Sequence, residues 1–366
     1  MSKLSPDSIQ QDQMWMQFAL AEAETAIYRT RPNPAVGCVI VKQHQIVGRG
    51  ATAPVGGSHA EVFALKQAGD QVQGATAYVT LEPCAHYGRT PPCANGLVEA
   101  GISRVVIACS DPNPLVAGKG VQILKNAGIE VLQGVCEAQA AAQNRGFLKA
   151  IATGMPYVRL KVASSLDGRT AMASGESKWI TGTEARQDVQ HWRAISGVVI
   201  TGIETVLADD CQLNVRQLAG IDISSIVQPK RLVLDRQGRL PLNAKILNVP
   251  ETVMVMGPFR QELADLGVLQ FSVQPLTDLL QRLATQHHIY DVLVEAGATL
   301  STAFLQARLV DEMISYVAPT FLGQTARAMF NAEFNRMAEQ LRFKLIDVTQ
   351  LGNDVRLRLI PSQETV

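Results

Sequence analysis

A chain of 366 residues exceeds the length at which a single hydrophobic core usually stops growing, so two domains of ordinary size are expected. With 47% hydrophobic and 18% charged residues, the composition excludes a disordered chain. A formal net charge of zero excludes a protein whose main task is to neutralise a nucleic-acid backbone, and no apolar run reaches membrane-spanning length.

A small-molecule partner is therefore expected, with no nucleic acid and no membrane. Met1 to Gln13 lacks the basic, apolar and small-residue segments of a secretory signal. The six cysteines, Cys38, Cys84, Cys93, Cys109, Cys136 and Cys211, are too few and too scattered for a secreted disulfide framework. The cytoplasm is the expected compartment.

In chain order, apolar residues at near-helical spacing predict a helix over Asp12 to Tyr28, stopped by Arg31-Pro-Asn-Pro34. Two β-rich runs, Val36 to Lys42 and Gln45 to Gly50, predict a hairpin followed by a helix from His59 to Ala68. Gly48-Arg-Gly50 inside the second strand marks a bulge or a close backbone approach. Strands over Ala75 to Leu81, Arg104 to Cys109 and Glu130 to Gln133 alternate with helices over Ala94 to Ala100 and Gly118 to Asn126, the pattern of a three-layer α/β sheet. Glu137 to Ile151 reads as one last helix, and Thr153-Gly-Met-Pro156 punctuates a domain border near residue 152.

The second half starts with a strand, Tyr157 to Ala163, and continues through helix Glu184 to Ile195 and strands Val198 to Thr201, Arg231 to Leu234 and Thr252 to Met256. Helix Leu276 to Thr285, strand Asp291 to Glu295, helix Thr299 to Ala307 and strand Glu312 to Ala318 complete a second α/β pattern. No internal repeat, heptad run or low-complexity tract interrupts it.

Chemistry enters at His59-Ala-Glu61, at the start of a predicted helix, and at Glu82-Pro-Cys84, after a predicted strand, with Cys93 nine residues further on. One histidine and two cysteines suit zinc and leave a fourth tetrahedral position for water, as catalytic sites do. Glu61, two positions from His59 and not a ligand, is placed to carry protons. A purely structural zinc is the alternative, with His86 as the residue that would have to close the site. The His-x-Glu and Pro-Cys pattern is similar to that of the zinc nucleobase deaminases, except that their second cysteine usually follows the first by three positions. A deaminase of nucleosides or nucleic acid, with the second half a binding domain, stays open on these residues alone. So does a zinc-stabilised binding protein without turnover.

Pro32-Asn-Pro-Ala-Val-Gly37, His59-Ala-Glu61, Leu81-Glu-Pro-Cys-Ala-His-Tyr-Gly-Arg-Thr-Pro-Pro-Cys93 and Asp111-Pro-Asn-Pro114 together closely resemble the bifunctional riboflavin-biosynthesis deaminase-reductase family, in which the long Cys-to-Cys loop is usual. In the second half, Leu166-Asp-Gly-Arg-Thr-Ala171, Gly175-Glu-Ser-Lys-Trp-Ile-Thr181, Thr205-Val-Leu-Ala-Asp-Asp210 and Val294-Glu-Ala-Gly-Ala-Thr-Leu300 resemble it too, so the likeness covers nearly the whole chain. The resemblance implies a cytidine-deaminase-like three-layer α/β/α domain over residues 1–152 and a dihydrofolate-reductase-like α/β domain over 153–366. It implies His59, Cys84 and Cys93 on Zn2+, Glu61 as the acid/base, and Asn33, His86 and Arg89 as candidates for holding a pyrimidine ribotide.

Read by itself, the second half is less specific. A strand ending at Glu295 and a helix entered through Gly297 present free backbone N–H groups to an anion, or form an ordinary glycine turn. No Gly-x-Gly-x-x-Gly stands there, which excludes a Rossmann site. The resemblance implies NADPH contacts at Ala163, Trp179, Thr205, Asp209, Gly297, Ala298, Thr299, Leu300, Ser301, Thr302 and Ala303. It implies substrate contacts at Ser177, Arg193, Leu213, Arg216 and Glu295. Arg193 and Arg216 suit a ribose phosphate, since a guanidinium fork makes paired charge-assisted bonds. The implied reactions are hydrolytic deamination of 2,5-diamino-6-(5-phosphoribosylamino)pyrimidin-4-one, then NADPH-dependent reduction of the ribosyl group of 5-amino-6-(5-phosphoribosylamino)uracil to ribityl. Homo-oligomerisation is implied by the same analogy alone.

Overall fold

A computed structural model describes residues 6–85, 92–113 and 116–362. The chain divides into two compact units, Met1–Gly154 and Met155–Val366.

The first unit runs α1 (Pro6–Glu24), β1 (Gly37–Lys42), β2 (Gln45–Ala51), α2 (Ala60–Ala68), β3 (Thr76–Leu81), α3 (Cys93–Glu99), β4 (Arg104–Cys109), α4 (Lys119–Asn126), β5 (Glu130–Gln133), α5 (Glu137–Gln143) and α6 (Arg145–Thr153). Its five strands lie in the order β2-β1-β3-β4-β5, antiparallel up to β3 and parallel beyond it. Alternate residues of the strands feed two cores. Cys38, Ile40, Val79, Val105 and Ile107 pack with Ala64, Leu97 and Leu124 of α2, α3 and α4. Val39, Val41, Tyr78, Val106 and Ala108 face Met16, Ala19 and Ala140 of α1 and α5. Two apolar strand faces, each roofed by helices, make the expected three layers.

Both alternatives anticipated at Gly48 and Gly50 are realised. The β1–β2 register shifts between Ile40 and Val41, and a Cβ on Gly48 or Gly50 would stand 2.1 or 2.4 Å from the Ala64 or Ala60 carbonyl oxygen. Strand β2 thus lets α2 lie directly on its backbone, which seats the helix that begins just after His59.

The expected single helix over Glu137 to Ile151 is two helices. Asn144 leaves helical geometry at φ −122°, ψ 28°, and its buried side chain reaches across the unit. Its amide accepts from the Ala35 N–H at 2.8 Å and donates to the Ala35 carbonyl at 2.9 Å. Satisfying two backbone groups of a buried loop residue outweighs the helical hydrogen bonds surrendered at the break.

The second unit runs β6 (Tyr157–Ser165), β7 (Arg169–Ala171), α7 (Thr183–Ile195), β8 (Val198–Gly202), α8 (Ile203–Asp209), β9 (Lys230–Leu234), β10 (Val253–Met256), α9 (Gln261–Asp265), β11 (Leu269–Phe271), α10 (Leu276–His287), β12 (Asp291–Glu295), α11 (Ala298–Gln306), β13 (Glu312–Ala318), β14 (Arg327–Ala328), β15 (Phe343–Leu351) and β16 (Asp354–Pro361). A nine-stranded sheet has the order β11-β10-β9-β8-β12-β6-β13-β16-β15, and β7 pairs separately with β14. Strands β11 to β13 in that order run parallel, and the β15–β16 hairpin closes the sheet antiparallel. Again two cores form, one with Leu279, Leu283 and Phe304 of α10 and α11, the other with Val189, Trp192, Ile203 and Leu263 of α7, α8 and α9. Among the described residues, no helix is long and apolar enough to cross a membrane.

Candidate active sites

In the first unit the register of the sheet gathers four loops at one end. The Gly37 N–H donates to Thr80 Oγ1, and Thr52 and Val36 exchange hydrogen bonds, so residues 32–36 and 52–59 lie beside the carboxyl end of β3, where Cys84 stands. His59 is the N-cap of α2 in extended geometry, and Cys93 opens α3. His59 Nδ1, Cys84 Sγ and Cys93 Sγ all lie within 4.8 Å of one another. The imidazole nitrogen is 3.2 Å from Cys93 Sγ and 3.7 Å from Cys84 Sγ. Those spacings bracket the roughly 3.6 Å that tetrahedral zinc bonds to nitrogen and sulfur require, so the donor set fits zinc.

The electrostatics suit the same ion. The Cys84 thiol is held well below its usual range by hydrogen bonds from the Cys93 thiol first, then from His59 and the Cys93 N–H, against the opposing effect of burial. The thiolate is the form that binds metal. That N–H, at the first turn of α3, donates to Cys84 Sγ at 3.2 Å. Glu61, in the first turn of α2, is 4% exposed, and burial raises its carboxyl above the usual range, with its own helix N–H and His59 opposing. A buried carboxyl raised in this way can both take and return a proton.

Asn33 is exposed on the loop that Asn144 clips, with its backbone N–H bonded to the Thr30 carbonyl. His86 and Arg89 lie outside the described residues. Two residues that the motifs pass over, Asn144 and Glu82, prove to hold the loops. Asn144 had no signal beyond a helix-poor residue inside a helical pattern, and Glu82 was hidden inside the cysteine motif.

In the second unit several of the expected residues stand at or just after the carboxyl ends of parallel strands, where open α/β sheets take ligands. Ala163 is on β6, Thr205 and Asp209 are on α8 after β8, and Gly297 is the N-cap of α11 after β12. The turn at 297–303 is braced from outside it: Asn331 donates from its backbone to Thr302 Oγ1 at 2.8 Å and from its side chain to Thr299 Oγ1 at 3.1 Å. Ser301 Oγ donates to the Ala296 carbonyl, while Ala298, Leu300 and Ala303 occupy the first turns of the helix. Ser177 Oγ donates to Asp209 at 3.4 Å. Trp179 is 70% exposed with the Arg186 guanidinium 4.5 Å over its ring, so it fills no core.

Arg193 and Glu295 form a buried bidentate pair, Nε to Oε1 at 2.5 Å and Nη2 to Oε2 at 2.9 Å, and Arg193 also donates to the Asn214 carbonyl. The Arg193 fork is thus already taken by a carboxylate. Arg216 is exposed, with its guanidinium 3.3 Å from Asn214 Oδ1, while Leu213 is buried at a positive φ of 54°. Lys161 was missed by the sequence reading. It stands directly opposite Glu295 in the β6–β12 register, and burial lowers its pKa, with Glu295 opposing and Arg193 reinforcing. Its signal was available: Arg159 and Lys161 share one face of an otherwise apolar central strand.

Both units have the architecture of known enzyme domains. Residues 9–109 match the cytidine and deoxycytidylate deaminase zinc-binding region, and residues 156–357 match the RibD C-terminal domain. The riboflavin biosynthesis protein RibD of Haemophilus influenzae is 46% identical, with 96% of this chain and 98% of that protein covered. That of Escherichia coli is 44% identical over 96% and 99%. A solved structure of Acinetobacter baumannii RibD superposes with a TM-score of 0.95 at 73% identity, covering 97% of this chain and 100% of that one. A Thermotoga maritima structure described as a diaminohydroxyphosphoribosylaminopyrimidine deaminase/5-amino-6-(5-phosphoribosylamino)uracil reductase has a TM-score of 0.88 at 32% identity over the same shares. The chain belongs to the riboflavin biosynthesis protein RibD family.

Proposed function

We propose that the chain deaminates 2,5-diamino-6-(5-phosphoribosylamino)pyrimidin-4-one in its first domain, residues 1–152, and reduces the ribosyl group of the resulting aminouracil in its second, residues 153–366. The observation that carries the first half is the meeting of His59, Cys84 and Cys93 beside the buried Glu61. These three residues would hold zinc, which when bound supplies Lewis-acid chemistry and brings the pKa of a water to about 7. Glu61 would take a proton from a water as its oxygen bonds to the amino-bearing ring carbon and deliver it to the ring nitrogen. It would then take the second proton from the new hydroxyl and pass it to the amine, so that the C–N bond breaks and ammonia leaves. Asn33, on its clipped loop, faces the substrate from the rim.

For the second half, NADPH supplies the hydride, and the chain supplies position and charge. Ala163, Trp179, Thr205, Asp209 and residues 297–303 line the cofactor's path, with the α11 N-terminus offering N–H groups to a phosphate. Ser177, Leu213 and the Arg193–Glu295 pair form the substrate wall. The exposed Arg216, whose guanidinium meets no carboxylate among the described residues, is the arm for the ribose phosphate. Opening the ribosyl ring needs a proton at its oxygen, and Lys161, opposite Glu295, is placed to hold it.

Mass spectrometry after incubation with the diaminopyrimidine ribotide tests both halves. Aminouracil ribotide without NADPH, and its ribityl derivative with it, are expected. Chelation should stop the first product while leaving reduction of supplied aminouracil intact. Ribotide returned unchanged by zinc-loaded, NADPH-bound protein would overturn the reading.

A further inference from the structure

Cys84 is fixed from two sides, and a metal-ligand role explains only one of them. Toward α3, its sulfur and its carbonyl accept from the Cys93 and Ala94 N–H groups. On the other side stands Glu82, 4% exposed and two residues before it. Glu82 Oε2 accepts from the Gly118 N–H at 3.1 Å and Oε1 from the Val121 N–H at 3.3 Å, both at the amino end of α4. The first N–H groups of a helix have no partner within it, and the α4 N-cap, Gly118, has no side chain to offer. Glu82 caps the helix from another part of the chain, as an anion in the place the helix dipole favours.

A second contact joins the same two segments independently. A Cβ on Gly120 would stand 2.1 Å from the Pro83 carbonyl oxygen and 3.3 Å from Glu82 Oε1. Only a glycine in the first turn of α4 lets the Glu82-Pro83-Cys84 backbone lie this close. The segment is therefore docked on α4 by a carboxylate and by a missing side chain.

We propose that Glu82, with Gly120, is a positioning residue for the metal: docking on α4 sets where the Cys84 thiolate stands relative to His59 and Cys93, and so sets zinc affinity and coordination geometry. This rests on the zinc reading above. The test compares Glu82→Gln and Gly120→Ala with the wild type in the full-length protein. It uses zinc competition with a chromophoric chelator, the absorption spectrum of the Co(II)-substituted protein, and reduction of supplied aminouracil ribotide. A glutamine can accept only one of the two N–H groups, so zinc affinity should fall about 10- to 100-fold, the range typical of groups that orient metal ligands. The thiolate-to-cobalt and d–d bands should shift, and reduction should be unchanged. Gly120→Ala, whose added methyl would push the same segment away from α4, should give the same pattern, and it decides the matter if Glu82→Gln does not fold. Affinity within threefold of wild type and an unaltered cobalt spectrum in either folded variant would overturn the proposal. Wild-type protein that binds no zinc would instead defeat the zinc reading.

Discussion

The two units carry their chemistry in different ways. In the first, three donor atoms meet within the span of one ion at one sheet end, His59 just before α2, Cys84 after β3 and Cys93 at the start of α3. In the second, the expected residues are spread along the carboxyl edge of a nine-stranded sheet, and the tight cluster is Lys161, Arg193 and Glu295. A metal centre demands particular side chains and so marks the sequence. A dinucleotide groove is built largely from backbone N–H groups and shape, which many sequences supply.

That contrast can be broken most sharply at Glu61. Glu61→Gln should reduce ammonia release by roughly a thousandfold or more, within or above the range of general acid–base catalysis, with zinc content and reduction unchanged. Retained deamination would move the proton carrier elsewhere. The corresponding test in the second unit is Lys161→Met, expected to slow reduction by about a hundredfold while deamination continues. An unaltered rate would remove Lys161 from the reaction and turn attention to the Arg193–Glu295 pair and Arg216.

Smaller effects sharpen the picture. Asn144→Ala strips both partners from Ala35 and should raise the deaminase KM about tenfold through the loop bearing Asn33, for a free-energy change of roughly 1.4 kcal/mol. Steady-state kinetics should show kcat little changed; a loss confined to kcat would mean that the clip serves the metal loops instead. The smallest concerns pH. His191 sits on α7 among Arg159, Arg356 and Arg358, and burial first, then those cations, lower its pKa to about 4, opposed by Asp188. An unfolded chain protonates this histidine near 6.5, so between pH 6.5 and 4 the unfolded state binds more protons and stability falls as pH falls. The loss should reach about 2–3 kcal/mol in the second unit by pH 4, and be smaller in His191→Gln, as denaturant titrations at pH 7.5 and 4.5 would show.

The strands were legible where they are buried on both faces. Arg104–Cys109, Asp291–Glu295 and Glu312–Ala318 stand at the ends their apolar runs predict. The β15–β16 hairpin was not, because Leu345, Ile346 and Val348 of β15 are exposed and the register shift between Leu345 and Asp347 breaks its period. The Glu137 to Ile151 helix was misread for another reason: Asn144 is broken out of it by a loop 109 residues away, which no local pattern reports. His59, Cys84, Cys93 and Glu61 were readable because such a combination of residue types is rare by chance. Lys161 went unread because a single basic residue within a strand looks like an ordinary solvent-facing position, and its shared face with Arg159 was given no weight.

The order of the second sheet has a consequence for how the chain is made. Its first strand, β6, lies in the middle, between β12 and β13, so it has no partner until residues 291–318 have been synthesised. At about 5–20 residues per second, that is a wait of roughly six to thirty seconds on the ribosome. Every strand of the first sheet, by contrast, precedes Gly154. The deaminase half can therefore close, and its thiols can find metal, while the reductase half is still an open chain with apolar β6 exposed. During that interval it is the nascent second half that most needs a chaperone.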